Sequence, residues 1–301
     1  MRKITTVFIL LLAIYSVQLK AQENKDNRIR VIAIFAHPDD GDYKMGGTAA
    51  LLAKMGVAVK FVSITNGDAG HNKMGGGVLA QRRREEARRA ALKYGIDDYT
   101  VLDNHDGELQ PDLNVRLQVI REIRKWNADV VIGLRPNDYH PDHRNSGKLV
   151  EDASYMVAVP NVADDVPALK KNPLFLYMQD DFKKPNPFSH DIVIGIDEVF
   201  QMKLDGLNEH TSQMYEWTPW IDNGGKTDPS VPSDPEERRV WLRKTWDSQN
   251  VLSAAQKAGL EKWYGKEKAA TFKYAESFEI TEYGSQPTEA DIRRLFPMLK
   301  Q

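Results

Sequence analysis

The sequence predicts an α/β fold of the Rossmann-like, doubly wound kind, with a largely parallel sheet and a C-terminal helical or irregular elaboration. In the first half of the chain, apolar runs of strand length alternate with amphipathic stretches, as in parallel strands joined by helical crossovers. Beyond residue 150 the alternation weakens, and residues 217–235 are rich in Trp, Pro, Gly and Asp. We therefore expect one domain, with a core over about residues 30–215 and an elaboration over about residues 216–301.

The first residues have the pattern of a secretory signal peptide. The segment Met1-Arg2-Lys3 is positively charged, and an apolar run follows it over residues 7–14. This run is short for a membrane span, and the best cleavage site follows Ala21. We expect residues 1–21 to be removed, and residues 22–301 to be periplasmic or secreted without stable membrane insertion. A retained anchor is the alternative.

Composition excludes several classes of function. The formal net charge of −2 gives no sign of a nucleic-acid partner or an anionic membrane surface. Cysteine is absent, which excludes disulfides, thiolate catalysis and zinc–thiolate sites, so any metal must be held by His, Asp or Glu. Nothing in the sequence indicates an oligomeric state.

The first predicted strand is an apolar run that ends abruptly at polar side chains. Residues 31–35 are β-branched, aromatic or small apolar residues without alternation, as in a strand covered on both faces. His37, Asp39 and Asp40 follow, and residues 46–54 predict a helix directly after them. Ionised carboxylates are stabilised near a helix N-terminus. Each Asp could serve only as a helix cap, but the pair together with His37 favours a functional site.

Later strands also end close to histidines. Further strands are predicted over residues 58–65, 99–102, 129–134, 174–178 and 191–196, with helices over residues 78–94, from 113 to about 126, and from 197 to about 212. His71, His105 and the pair His140 and His143 come after the second, third and fourth strands. A single histidine there is usually an ordinary loop residue. Because ligands bind beyond the carboxyl ends of parallel strands, this repeated placement predicts a site at that edge of the sheet.

Two pairs of candidate metal ligands have a spacing of three residues. His37 with Asp40, and His140 with His143, can each face one point from a tight loop or first helical turn. Two imidazoles and one carboxylate suit zinc, or another divalent transition metal, and leave a position for water and substrate. A remaining carboxylate can take a proton from the attacking water. The spacing leaves open whether Asp39 or Asp40 binds the metal.

These segments resemble the motifs of a known enzyme family. Ala36-His37-Pro38-Asp39-Asp40 and His140-Pro141-Asp142-His143 are similar to the two signature motifs of the PIG-L/LmbE-like zinc-dependent de-N-acetylases. The resemblance extends to the loop at residues 65–70, to Arg83 on the following helix, and to His210-Thr211-Ser212-Gln213. Together these segments cover roughly residues 30–215.

The resemblance implies a role for each motif residue. His37, Asp40 and His143 would bind zinc, and Asp39 would be the general base. His140 would stabilise the oxyanion or protonate the departing amine, and Asp142 would orient a histidine. The candidate substrate contacts are Asp68, His71, Arg83, His210 and Gln213. His210 and Gln213 could instead merely complete a helix.

Two positions depart from the family pattern. Gly41 stands where the family commonly has Glu, and Asp138 stands where some members have a Tyr, with Tyr139 as its neighbour. Neither change removes an expected metal ligand or the expected base. An active enzyme is therefore still expected.

The predicted function is hydrolytic removal of the acetyl group from an N-acetylated amino sugar, such as N-acetylglucosamine in a glycan or glycoconjugate. The signal-like N-terminus favours an external glycan. The alternatives are hydrolysis of another amide or an ester in the same site, and a carbohydrate-binding protein without turnover. Sugar stacking or core packing could explain Trp217, Trp220, Trp241 and Trp246.

Overall fold

Seven strands form one mixed sheet in the computed structural model, which describes residues 27–299. The strands are β1 Arg30–Phe35, β2 Ala58–Thr65, β3 Asp98–Asn104, β4 Val130–Gly133, β5 Leu174–Met178, β6 Ile192–Gly195 and β7 Ala275–Gly284. Their order across the sheet is β3-β2-β1-β4-β5-β7-β6. Strands β1 to β5 pair in parallel, and β7 runs antiparallel between β5 and β6. The predicted α/β fold with a largely parallel sheet is confirmed.

Helices cover both faces of this sheet. They are α1 Asp40–Lys54, α2 Gly76–Tyr94, α3 Leu113–Trp126, α4 Pro141–Met156, α5 Phe200–Glu209, α6 Thr218–Asp222, α7 Pro235–Gln249, α8 Ala254–Tyr264, α9 Lys266–Ala269 and α10 Glu289–Leu295. Apolar side chains of α3 and α4 share one core with Ile32 and Ile34 of β1. Those of α1, α2 and α5 share another with Val31 and Ala33. Burial on both faces explains why β1 reads as an unbroken apolar run.

The strand order reverses between β1 and β4. The chain passes from β1 outward to β2 and β3, and then returns to place β4 on the other side of β1. Ile34 near the end of β1 pairs with Gly133 at the end of β4, so the loops after these strands begin side by side. Such a reversal opens a crevice at the carboxyl ends of the strands. It brings the two sequence motifs together across about a hundred residues of chain.

Helix α1 is interrupted, and the C-terminal strand supports the break. Met45 has a non-helical conformation with φ −147° and ψ 17°. The backbone amides of Gly47 and Thr48 donate instead to the two carboxylate oxygens of Glu276 in β7, at 3.0 and 2.6 Å. The Lys203 ammonium, 2.6 Å from Glu276, balances the charge of this buried carboxylate. The second half of α1 is therefore capped by a side chain from β7.

The elements after residue 196 differ most from the prediction. A 3₁₀ turn, Asp197–Val199, precedes α5, and a π-helical segment, Ser212–Trp217, follows it. Strand β7 was not predicted as a strand. The predicted signal peptide lies outside the described residues. No helix within residues 27–299 combines the length and the hydropathy that a membrane span requires.

Candidate active site

Three donor groups form a triangle at the reversal between β1 and β4. His37 Nδ1 lies 3.2 Å from His143 Nε2 and 3.6 Å from Oδ2 of Asp40. Oδ1 of Asp40 lies 3.3 Å from His143 Nε2. Donor atoms of a tetrahedral zinc site are about 3.4 Å apart when each bond is about 2.1 Å. The triangle therefore has the dimensions of a three-ligand metal site.

Local structure fixes each corner of this triangle. His37 follows β1, and its backbone amide donates to Oδ2 of Asp40 at 2.8 Å, which orients the carboxylate. Asp40 opens α1, where the helix dipole stabilises an ionised carboxylate. Pro141 begins α4, and His143 lies in its first turn. Nδ1 of His140, the capping residue, accepts from the backbone amide of Asp142 at 3.2 Å.

Carboxylates hold the outward nitrogen of both triangle imidazoles. Nε2 of His37 lies 3.0 Å from Asp106 and 3.4 Å from Asp142. Nδ1 of His143 lies 3.0 Å from Asp138. A carboxylate facing one ring nitrogen keeps the proton there, so the other nitrogen presents its lone pair. Both imidazoles therefore direct lone pairs into the triangle, as metal ligands do.

The carboxylates around the triangle favour positive charge within it. Burial lowers the pKa of His37, but hydrogen bonds with Asp106, Asp142 and Asp40 outweigh it and raise the pKa well above its usual value. Burial likewise opposes protonation of His143, yet Asp40 and Asp138 raise its pKa to about 9. Protons and metal ions compete for the same lone pairs. A divalent cation would satisfy the same carboxylates, so the donor set fits a metal.

The two adjacent carboxylates Asp39 and Asp40 differ in environment. Burial raises the pKa of Asp39, against the opposing charge of Arg83, whose Nη2 lies 2.9 Å from Oδ1 of Asp39. Burial also acts on Asp40, but His143 and His37 outweigh it and hold its pKa well below the usual value. Opposite pKa shifts in neighbouring carboxyl groups are typical of groups with separate chemical tasks.

His140 lies at the rim of the triangle. Its ring is edge-on to that of His37, with centroids 4.7 Å apart, and it is half-buried. Burial and the positive charges of His37 and His143 lower its pKa. Because Nδ1 of His140 accepts from a backbone amide, the neutral ring carries its proton on Nε2. His140 is therefore a hydrogen-bond donor beside the triangle.

The departure at Gly41 has a steric cause. A Cβ atom at this position would lie 2.3 Å from Cε1 of Phe35, which is fully buried. The Phe35 ring therefore excludes a side chain at position 41. At the second departure, Asp138 contacts His143, and Tyr139 is 73% exposed with its ring 5.6 Å from that of His143.

The candidate substrate contacts on the loop after β2 and on α2 have different surroundings. Arg83 reaches Asp39 directly, and its Nη1 lies 3.7 Å from Asp106. Asp68 accepts from the backbone amide of Asp106 at 3.0 Å. His71 points away, because its ring lies 2.9 Å from Glu216 and accepts from backbone amides of its own loop.

The segment from His210 to Gln213 contacts elements that carry the site. His210 is fully buried, with Nε2 2.9 Å from Asp42 in the first turn of α1. Gln213, in the π-helical segment, donates to the Gly70 carbonyl at 3.0 Å. The Gly70 backbone is close to the site, since a Cβ there would lie 3.1 Å from Asp106. A substrate role for His210 and Gln213 stays a prediction.

Sequence reasoning missed two carboxylates. Asp106 was overlooked beside His105, although the structure brings Asp106 to His37 and leaves the His105 side chain 71% exposed. Asp138 was considered only as a departure from a motif. In both cases the available signal was an acidic residue in a loop that follows a parallel strand.

Comparisons with known proteins identify the family of the chain. The PIG-L family model, described as GlcNAc-PI de-N-acetylase, matches residues 32–154. Diacetylchitobiose deacetylase from Thermococcus kodakarensis is 31% identical over 208 residues, which cover 64% of this chain and 74% of that protein. A probable N-acetyl-alpha-D-glucosaminyl L-malate deacetylase 2 from Bacillus cereus is 33% identical over 193 residues, which cover 61% of this chain and 83% of that protein.

A solved structure of a deacetylase is also similar to this chain. N,N'-diacetylchitobiose deacetylase from Pyrococcus horikoshii, in complex with its inhibitor MPG, superposes with a TM-score of 0.60 at 25% identity and covers 86% of each chain. The family match and the similar proteins define an enzyme of the deacetylase class. This chain belongs to the PIG-L family of de-N-acetylases.

Proposed function

We propose that this protein hydrolyses the N-acetyl group of an N-acetylglucosamine-type amino sugar, with zinc, or another divalent transition metal, held by His37, Asp40 and His143. The observation that carries the proposal is the triangle of donor atoms 3.2–3.6 Å apart. In each of its two imidazoles, the ring nitrogen that faces away from the triangle contacts a carboxylate. The substrates named for the similar deacetylases, diacetylchitobiose and N-acetyl-alpha-D-glucosaminyl L-malate, support the sugar class.

Two other ligand groups lie among the described residues, but the triangle is favoured over both. His37 with Asp106 and Asp142, and His37 with His140 and His143, also place donor atoms within 4.8 Å of one another. The oxygens of Asp142 already accept from the backbone amides of Gly107 and Leu109, at 2.6 and 3.2 Å. His140 directs Nδ1 to a backbone amide, and a role as donor to substrate uses its other nitrogen.

The reaction needs a polarised carbonyl, an activated water and a proton for the nitrogen. A bound divalent cation supplies Lewis acidity toward the acetyl oxygen and makes water more acidic. Asp39 accepts the proton of the water that attacks the acetyl carbon, and Arg83 fixes the direction of its carboxylate. Nε2–H of His140 donates to the developing oxyanion. Asp39 then returns the proton to the amine as the C–N bond breaks, which gives acetate and a free amino sugar.

The test is acetate release by the mature chain from N-acetylglucosamine and N,N'-diacetylchitobiose, together with its metal content. Asp39→Asn should lower kcat by at least about 100-fold while keeping the metal, because it removes only the base. His143→Ala should lose the metal. His105→Ala is the matched control, since this exposed histidine of the same sheet edge faces Asp68. Undiminished activity of Asp39→Asn would exclude Asp39 as the base. Sugar binding without bound metal and without acetate release would exclude an enzymatic function.

We also propose that the protein is exported and acts in the periplasm or outside the cell. The support is the charge and hydropathy pattern of residues 1–21. Residues 1–30 fused to a reporter that is active only outside the cytoplasm should give activity, and the exported protein should begin at Gln22. A full-length N-terminus in the membrane fraction would show a retained anchor.

A further inference from the structure

A cavity of about 820 Å³ lies at the edge of the sheet opposite the candidate active site. Of its lining residues, Asp129 precedes β4, Pro173 precedes β5, and Ser285 follows the antiparallel strand β7. These positions mark the amino ends of the parallel strands, whereas the triangle lies at their carboxyl ends. The volume falls within the range for small-molecule sites. A ligand in this cavity would therefore leave the candidate active site open.

Basic side chains outnumber acidic ones in the lining. The five basic side chains are Arg124, Lys125, Lys170, Lys171 and Arg294, and the two acidic ones are Asp129 and Asp291. Oδ2 of Asp129 accepts from the backbone amide of Arg30 at 2.9 Å. Asp291 accepts from Thr288 and lies 3.4 Å from Arg294. Both carboxylates are thus engaged, and the cavity has a local excess of positive charge in a chain whose net charge is −2.

Nearby carboxylates outside the lining offset only part of this charge. Glu122 lies 3.8 Å from Lys125 and weakens its positive field. Asp165 lies 2.8 Å from Arg121, which is outside the lining, and Asp164 also favours the charge of that guanidinium. The excess charge therefore comes mainly from the remaining cations of the lining.

Three of these cations take part in no ion pair within residues 27–299. The buried Arg124 donates to backbone carbonyls at the end of α4 and in the following loop, which leaves its charge without a carboxylate. The exposed side chains of Lys170 and Lys171 form no hydrogen bond or ion pair there. Adjacent ammonium groups repel each other, and a bound anion would relieve this repulsion. The bonds of Arg124 hold the loop before the lysines in place, which lowers the entropic cost of binding.

The other lining residues narrow the class of anion. Among the described residues that line the cavity, none is aromatic, so the stacking surface that a nucleobase uses is missing. Ammonium groups bind phosphate as point charges, and a phosphate ester carries up to two negative charges. The neutral polar side chains of the lining, which can bond hydroxyl groups, are Asn127, Asn172, Ser285 and Gln286.

We propose that this cavity is a second, non-catalytic site that binds a phosphate ester of a polyol, with Lys170 and Lys171 as its main contacts. A free polyol phosphate and one unit of a polyol-phosphate polymer present the same groups to these lysines. The site is independent of the proposed deacetylation, because the two lie at opposite edges of the sheet.

Titration calorimetry with fructose 1,6-bisphosphate tests the site without any turnover. The wild-type protein should bind the bisphosphate but not fructose, and added sodium chloride should weaken binding because it screens exposed charges. The double variant Lys170→Gln/Lys171→Gln should bind about tenfold more weakly, as expected for two exposed charge pairs. The matched control is Lys244→Gln/Lys257→Gln, which removes the same charge from exposed lysines of α7 and α8 that do not line the cavity.

Two further measurements locate the phosphate and identify its source. His143→Ala should bind the bisphosphate as wild type does, because the triangle lies at the other edge of the sheet. Tighter binding of poly(glycerol phosphate) per phosphate group would identify the polymer as the source, and weaker binding would identify the free ester. No binding by wild type, equal loss in both lysine double variants, or loss only in His143→Ala would overturn the inference.

Discussion

Asp138 is the carboxylate whose removal should most clearly test the proposed metal site. Its Oδ1 lies 3.0 Å from Nδ1 of His143 and accepts from the backbone amide of His140 at 2.9 Å. Burial acts to raise the pKa of Asp138, but His143 outweighs it and the pKa is lowered, so the group is ionised. The charge fixes the His143 tautomer and increases the basicity of Nε2.

The size of the effect follows from which of these contacts each variant keeps. Removal of such an orienting carboxylate typically costs about 10- to 100-fold in metal affinity, or about 1.4–2.7 kcal/mol. Asp138→Asn keeps an acceptor without the charge, so zinc affinity should fall about tenfold. Asp138→Ala removes the acceptor as well, and the fall should approach about 100-fold.

The assay is competition for zinc with a fluorescent chelator, which reads affinity without turnover. Asp181→Asn is the matched control, because this exposed carboxylate is not among the hydrogen-bond and ion-pair partners of His143, which are His37, Asp40 and Asp138. Wild-type zinc affinity in Asp138→Ala would refute the reasoning, since His143 would then be a ligand that needs no orienting group, or no ligand.

Three further predictions concern stability. Arg124 donates to six backbone carbonyls at the end of α4 and in the following loop, so Arg124→Ala should lower the free energy of unfolding by at least about 3 kcal/mol in urea titrations; a change below 1 kcal/mol would contradict this. Gly41→Ala should cost about 1–3 kcal/mol in the same assay because its Cβ meets Phe35, and an unchanged stability would show that this ring moves freely. Burial opposes protonation of His210, but Asp42 raises its pKa above 6.5. The pair therefore stabilises fully below pH 6.5 and progressively less as the pH rises through the raised value, so the stability difference between wild type and His210→Asn should shrink from pH 6 to pH 9. A difference that is independent of pH would mean that His210 is neutral.

The strands that could be predicted from the sequence are those that their own composition identifies. Residues 31–35 form an apolar run because both faces of β1 are covered. This signal does not depend on which strands are the neighbours of β1. Strand β7 gives no such signal, because most of its residues are partly buried or exposed and its composition is mixed. Its neighbours β5 and β6 lie far earlier in the sequence, and only the folded chain shows the pairing.

The site residues that could be predicted are likewise those with a local signal in the sequence. His37, Asp40, His140 and His143 could be found because short motif spacings reflect one turn of loop or helix. The carboxylates behind the rings could not be found in this way. Asp106 reaches His37 from another loop, 69 residues later in the sequence, and that contact depends on how the loop after β3 folds.

The break in α1 makes the site dependent on the far end of the chain. Asp40 lies before the break at Met45, and the part of the helix after it is held by Glu276, more than 200 residues away. The region matched by the family model ends at residue 154, so a fragment trimmed to that region would lose this anchor. Engineered hybrids that exchange the catalytic half between relatives must therefore carry the last strand with it.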